Sequence, residues 1–211
     1  MSIGFWGLLG LFAAALINRA ADCWLSPGRL SCNVTRHPWR TRLVVLGVSA
    51  IFMILAWPDP LAPNLPAMGL MGAVLVLLAV IDWEQRRVPN VIVLPATAAA
   101  LAWAWAGGHL FSAAAGAALA FAFFLALYAL GRRLFGPGAL GMGDVKLAAL
   151  IGAIFGVEQM GYALVLGILL AGATAVGLLV TKRAQRGDML PFGHFMALAA
   201  VVVLLAANWR L

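Results

Sequence analysis

Residues 110–130 read LFSAAAGAALAFAFFLALYAL, twenty-one consecutive positions with no charge, no proline and no amide side chain. A helix that crosses a bilayer needs about 20 mostly apolar residues, and this run supplies them. It does not alternate apolar with polar, so it is not a strand of a membrane barrel. In hydrocarbon the backbone must then satisfy its own hydrogen bonds, which leaves the α-helix. Outwards from this stretch the pattern recurs. Apolar runs lie at residues 3–18, 43–57, 67–82, 90–106, 109–131, 145–156, 160–181 and 190–207, separated by proline, glycine or charge. The expectation is an all-α, polytopic membrane protein with about eight transmembrane helices. Composition agrees, since 64% of the 211 residues are hydrophobic and 10% are charged, too few to coat a soluble globule.

The formal charge of +7 reads as a topology signal rather than a nucleic-acid footprint, because no soluble domain is there to present a basic face. If alternate loops share a side, one side holds Arg19, Arg29, Arg36, Arg40, Arg42, Arg86, Arg87, Arg132, Arg133, Lys146, Lys182, Arg183 and Arg186, and the other holds only Arg210. Basic residues concentrate in cytoplasmic loops, so the N-terminus is expected outside. Residues 3–18 lack the basic n-region of a cleaved signal peptide and read as a first helix.

The loop at residues 19–42 mixes tryptophan with arginine and suits the headgroup region. Cys23 and Cys32 fall in it, on the side where stable disulfides are rare, and read as reduced thiols. With His37 they make a poor zinc set, so no metal or cofactor is expected. Residues 58–66 carry four prolines and read as a non-helical outside loop, and the tryptophans at 57, 103, 105 and 208 read as interface anchors. One run fits badly. Residues 145–156 are too few to cross about 30 Å of hydrocarbon at 1.5 Å per residue. Either the helix continues past Glu158 or the glycine-rich stretch at 131–144 dips inward.

Of the seven acidic residues, two close or open apolar runs on the same, cytoplasmic side: Asp82 ends the run 67–82 and Asp144 begins the run 145–156. A carboxylate beside hydrocarbon is unfavourable unless paired, hydrated or neutralised, so acids at this depth are functional candidates. Two neighbouring carboxyls that share one proton can act as base and acid on a single water, which is peptide hydrolysis without metal or covalent intermediate. Asp144 at a helix N-terminus and Asp82 at a C-terminus differ in helix polarity, which favours Asp144 as the more readily ionised member. Singly, each also reads as an ordinary helix-end aspartate. Around Asp144 the string Gly141-Met142-Gly143-Asp144-Val145-Lys146 allows close backbone approach at Gly143 and brings the cation of Lys146 near. Pro89 is expected to fix the turn after Asp82, and Asn90 to cap the helix it opens.

The string GMGDVKLAALIGAIFG, starting at Gly141, resembles the GxGD segment of bacterial type IV prepilin peptidases, which are membrane aspartic proteases. Ile81-Asp82-Trp83-Glu84-Gln85-Arg86-Arg87-Val88-Pro89-Asn90 resembles the first aspartate segment of that family. Pro191-Phe192-Gly193-His194 resembles the PFGP-type start of its last helix, with His194 in place of the usual proline, a change expected to touch packing more than chemistry. The resemblance covers residues 67–207. It implies a six-helix peptidase core over 67–211, preceded at 1–66 by a helix, a basic loop and a second helix. It further implies catalysis by Asp82 and Asp144, supported by Gly141, Gly143, Lys146, Pro89, Asn90, Pro191, Phe192 and Gly193. The implied partners are prepilins or secretion-system pseudopilins, cut after a glycine before a hydrophobic helix at the cytoplasmic face of a bacterial inner membrane. The paired Cys-x-x-Cys motifs that accompany N-methylation in bifunctional members are missing, which makes N-methyltransferase activity doubtful without excluding it. A proton- or ion-coupled transporter and an inactive secretion scaffold are the competing readings. The transporter predicts acids near the membrane midplane and a repeated half.

Overall fold

The computed structural model describes residues 3–25, 38–136, 140–181 and 192–208. They form seven helices: α1 (Ile3–Leu25), α2 (Pro38–Ala56), α3 (Leu65–Gln85), α4 (Asn90–Ala106), α5 (Leu110–Phe135), α6 (Met142–Val180) and α7 (Phe192–Asn208). There is no strand among the described residues. By length and composition Leu65–Gln85, Leu110–Leu134 and Met142–Leu178 can each cross a membrane, and four shorter apolar helices accompany them. Large apolar side chains line the exterior, among them Leu119, Phe121, Phe123 and Leu125 of α5, all exposed. Water would not tolerate such a continuous apolar surface, whereas lipid requires it. The chain is a membrane protein.

Helix boundaries follow local chemistry. α3 begins after Asn64 and takes Pro66 into its first turn, where the missing N–H is not needed. The loop expected at 58–66 therefore ends at Asn64, its last two positions being helical. α3 ends at Arg86, which adopts the left-handed conformation (φ 53°) and donates its N–H to the Asp82 carbonyl at 2.7 Å. A side chain at positive φ is disfavoured, so this turn is held by what surrounds it. Pro89, extended at φ −73° and ψ 127°, then opens α4.

α3 is the most enclosed helix and packs against α7, α1 and α2, while α6 packs chiefly against α5 and α7. Leu75, Leu78 and Ile81 of α3, Leu147, Leu150 and Ile151 of α6, and Met196 of α7 share one core. Within the α1–α2 pair Gly10 lies against the Ser49 backbone and the Trp6 indole N–H donates to the Pro60 carbonyl at 2.9 Å, and the pair meets α3 where Phe52 and Ile51 lie against Gly69 and Gly72.

The short run that fitted badly is resolved by a reversal. α6 leaves helical geometry at Gly156 (φ 63°, ψ −173°). A straight continuation would carry Gly167 about 16 Å past Gly156, away from Asp144. Instead a Cβ on Gly167 would lie 3.0 Å from Cα of Met196, three residues after Gly193, which itself adjoins Asp144. The second limb therefore folds back alongside the first, and the seven helices comprise eight helical limbs. The first limb, Met142 to Gly156, is only about 21 Å long. Ser112 of α5 stabilises the break, its Oγ accepting the N–H of Val157 at 3.2 Å. The break falls between the apolar runs 145–156 and 160–181, and part of the glycine-rich stretch expected to dip inward, residues 137–139, lies outside the described residues.

Candidate active site

Three helix ends converge. Asp82 sits in the last turn of α3, Asp144 in the first turn of α6, and Gly193 and His194 in the first turn of α7. Both carboxylates are buried, Asp82 at 4% and Asp144 at 8% exposure. Gly193 lies between them: a Cβ there would be 2.9 Å from Oδ1 of Asp144 and 3.0 Å from Oδ2 of Asp82. Both oxygens are thus close to one point, and the two carboxylates face each other across about 6 Å or less.

Each aspartate is fixed by a main-chain N–H. Oδ2 of Asp144 accepts from Gly141 at 3.2 Å, while the Asp144 N–H donates to the Gly141 carbonyl at 3.1 Å. This is the back half of a capping box, an acid at the third helical position reaching back to the residue before the helix. Oδ2 of Asp82 accepts the N–H of His194 at 2.7 Å, so Asp82 serves as the N-terminal cap of α7 from another helix. The polarity difference expected between the two acids does not hold as stated, since Asp82 also meets a helix N-terminus.

The glycines flanking Asp144 have separate reasons. Gly141 adjoins the Asp144 carboxylate, and Gly143 lies against Val88 of the α3–α4 connection, where a Cβ would sit 3.0 Å from the valine Cβ. Lys146 does not direct its charge at the acids: its Nζ donates to Oδ1 of Asn90 at 2.7 Å, tying the start of α6 to the start of α4. Asn90 accordingly makes no cap. Pro89 takes that position, its carbonyl accepting the N–H groups of Ile92 and Val93 at 3.1 and 3.0 Å. Phe192 is half-buried with its ring 6.2 Å from that of Phe124. Pro191, Cys32 and His37 lie outside the described residues.

His194 is the residue the sequence reading undervalued. It touches Asp82 through its main chain, and its ring nitrogen Nδ1 lies 3.0 Å from the Ala79 carbonyl. The available signal was the loss of a proline in a first helical turn, which restores a donor there.

Two buried carboxyls facing one gap, each with one oxygen engaged by an N–H, can hold a water and pass a proton between them. Residues 69–176, which include both acids, match the family model described as the type IV leader peptidase family. The chain belongs to this family. Among curated proteins, the family relatives include a prepilin leader peptidase/N-methyltransferase of Pseudomonas putida, 30% identical over 180 residues that cover 84% of this chain and 62% of the relative. The protein of that name from Aeromonas hydrophila is 28% identical, with 86% and 63% covered, and that of Pseudomonas aeruginosa is 28% identical, with 90% and 63% covered. The chain thus spans about three fifths of the length of these relatives. No solved structure gives a significant match. The first turn of α7, which completes the geometry around the acids, lies beyond the stretch matched by the family model.

Proposed function

We propose that this protein is an aspartic endopeptidase of the bacterial inner membrane that removes the leader peptide of type IV prepilins or secretion-system pseudopilins. The observation that carries the reading is the facing of Asp82 and Asp144 across Gly193 within a chain of the type IV leader peptidase family. In this reading one carboxylate takes a proton from the attacking water while the protonated partner hydrogen-bonds the scissile carbonyl and then protonates the leaving amine. The main-chain donors at Gly141 and His194 hold the two carboxyls in position. The peptidase core is residues 67–211, with 1–66 as an attached helix pair and loop.

The eight helical limbs are read as eight spans with the N-terminus outside and the site facing the cytoplasm. The placement of thirteen of the fourteen basic residues supports this orientation. Exposed Trp57 and Trp105, at the ends of α2 and α4 away from the acids, suit the opposite interface. A substrate helix inserted from the cytoplasm would present its N-terminal boundary at the acids, and a glycine at the cut would ease its unwinding. The acids cluster at one end of the bundle rather than at mid-height, which disfavours a transporter. The methyltransferase activity in the relatives' names is not part of the proposal, since Cys23 and Cys32 do not form Cys-x-x-Cys pairs.

The test is processing of a prepilin precursor in membranes containing wild type, Asp82→Asn or Asp144→Asn at matched expression. Wild type converts precursor to mature protein, and each variant loses roughly 100-fold or more. Undiminished processing by Asp144→Asn would remove the assignment.

A further inference from the structure

We propose that His194 is a positioning residue for Asp82, gripping the end of α3 at two places one helical turn apart. The activity arm of this inference rests on the proteolytic reading above; the contact itself does not.

The first four N–H groups of a helix have no partner within it. His194 is the third residue of α7, and its N–H goes to Oδ2 of Asp82 at 2.7 Å, a length typical of charge-assisted bonds. The second grip is the ring. Nδ1 lies 3.0 Å from the Ala79 carbonyl, three residues before Asp82 on the same face of α3. A carbonyl only accepts, so Nδ1 carries the hydrogen and the tautomer is fixed. Trp83 and Phe195 flank the ring, with centroids 4.9 and 5.5 Å away and interplanar angles of 49° and 81°. One residue therefore couples the start of α7 to the carbonyl at 79 and the carboxylate at 82. With Oδ2 of Asp82 engaged by His194 and Oδ2 of Asp144 engaged by Gly141, neither carboxylate is free to rotate without losing a bond. A proline at 194 would supply neither the N–H nor the ring.

The test uses full-length protein in lipid nanodiscs, labelled with ¹⁵N-histidine. The chain has three histidines, and His194 is identified by the resonances that vanish in His194→Gln. A downfield amide proton that moves upfield in Asp82→Ala but not in Asp144→Ala, with a ring in the Nδ1–H form, is the expected result. An amide indifferent to Asp82→Ala, or an Nε2–H ring, overturns the proposal whether or not the protein cleaves anything. In prepilin cleavage, His194→Ala lowers kcat roughly tenfold or more with KM little changed, because the acid is misplaced rather than the substrate lost. His194→Gln, whose amide can again donate to the Ala79 carbonyl, recovers most of that rate. Equal activity of wild type, His194→Ala and His194→Pro overturns the positioning role. A wild type that cleaves no prepilin removes the proteolytic reading and leaves the resonance experiment to decide the contact.

Discussion

Gly116 of α5 and Gly152 of α6 cross main chain against main chain: a Cβ on Gly152 would collide with the Gly116 carbonyl oxygen and fall 2.8 Å from Cα of Ala117. The obstructing atoms are backbone, so no side chain can turn aside. Gly116→Ala and Gly152→Ala are each expected to destabilise the protein by roughly 3 kcal/mol, at the upper end of overpacking effects. Gly161 and Gly172, with nothing within 4 Å of a built Cβ, serve as controls. Alanine there is expected to be neutral or stabilising by up to about 1 kcal/mol. Unfolding in detergent micelles distinguishes the two pairs.

A methyl group at Gly193 enters the gap between the acids rather than a helix seam. In the proposed reaction Gly193→Ala is expected to lower cleavage by roughly 100-fold while leaving the melting temperature within a few degrees of wild type, because the methyl meets the two carboxylates themselves and moves them from their working positions. The paired measurement is turnover against thermal stability. Normal turnover would mean that the gap is not where the reaction occurs.

Much of this arrangement was legible in the sequence. The apolar runs gave the helices, and the rarity of acids in them singled out Asp82 and Asp144. What escaped depends on contacts between distant segments. The separate runs 145–156 and 160–181 already implied a turn between them, but not its sharpness at Gly156, where Ser112, forty-four positions earlier, satisfies the freed N–H of Val157. Lys146 reads as an active-site cation from its neighbours in sequence, but Asn90 competes for it from the start of another helix. His194 reads as a packing substitution because neither its main-chain bond to Asp82 nor its ring contact with the Ala79 carbonyl can be seen from its neighbours in sequence.

The connection after Asp82 is held against α6 at Gly143. Gly143→Ala is expected to be destabilising by about 1 kcal/mol, since its Cβ would meet Cβ and Cγ2 of Val88 at 3.0 and 3.2 Å. Val88→Gly removes both atoms. A double-mutant cycle is expected to return a favourable coupling of about 0.5 kcal/mol or more, and strict additivity would show that the two residues do not press on each other.

Gly156 combines a left-handed φ of 63° with an extended ψ and lies against Ser112, whose Oγ would be 2.5 Å from an added Cβ. Gly156→Ala is expected to be destabilising by roughly 2–3 kcal/mol from backbone strain alone. Ser112→Ala in the same background should relieve the collision but not the strain. A full recovery of stability in the double variant would contradict the fold-back geometry.

The bond between Asp82 and residue 194 bears on when the protein becomes competent. A ribosome that has made everything through Val180 has already synthesised both acids, yet the donor to Asp82 and the glycine between the carboxylates have not been made. The gap is completed by the last described helix, so a nascent or truncated chain ending before α7 carries both aspartates without the architecture that confronts them. Making the two acids and confronting them are thus separate events in the life of the chain, parted by everything that lies between α6 and α7.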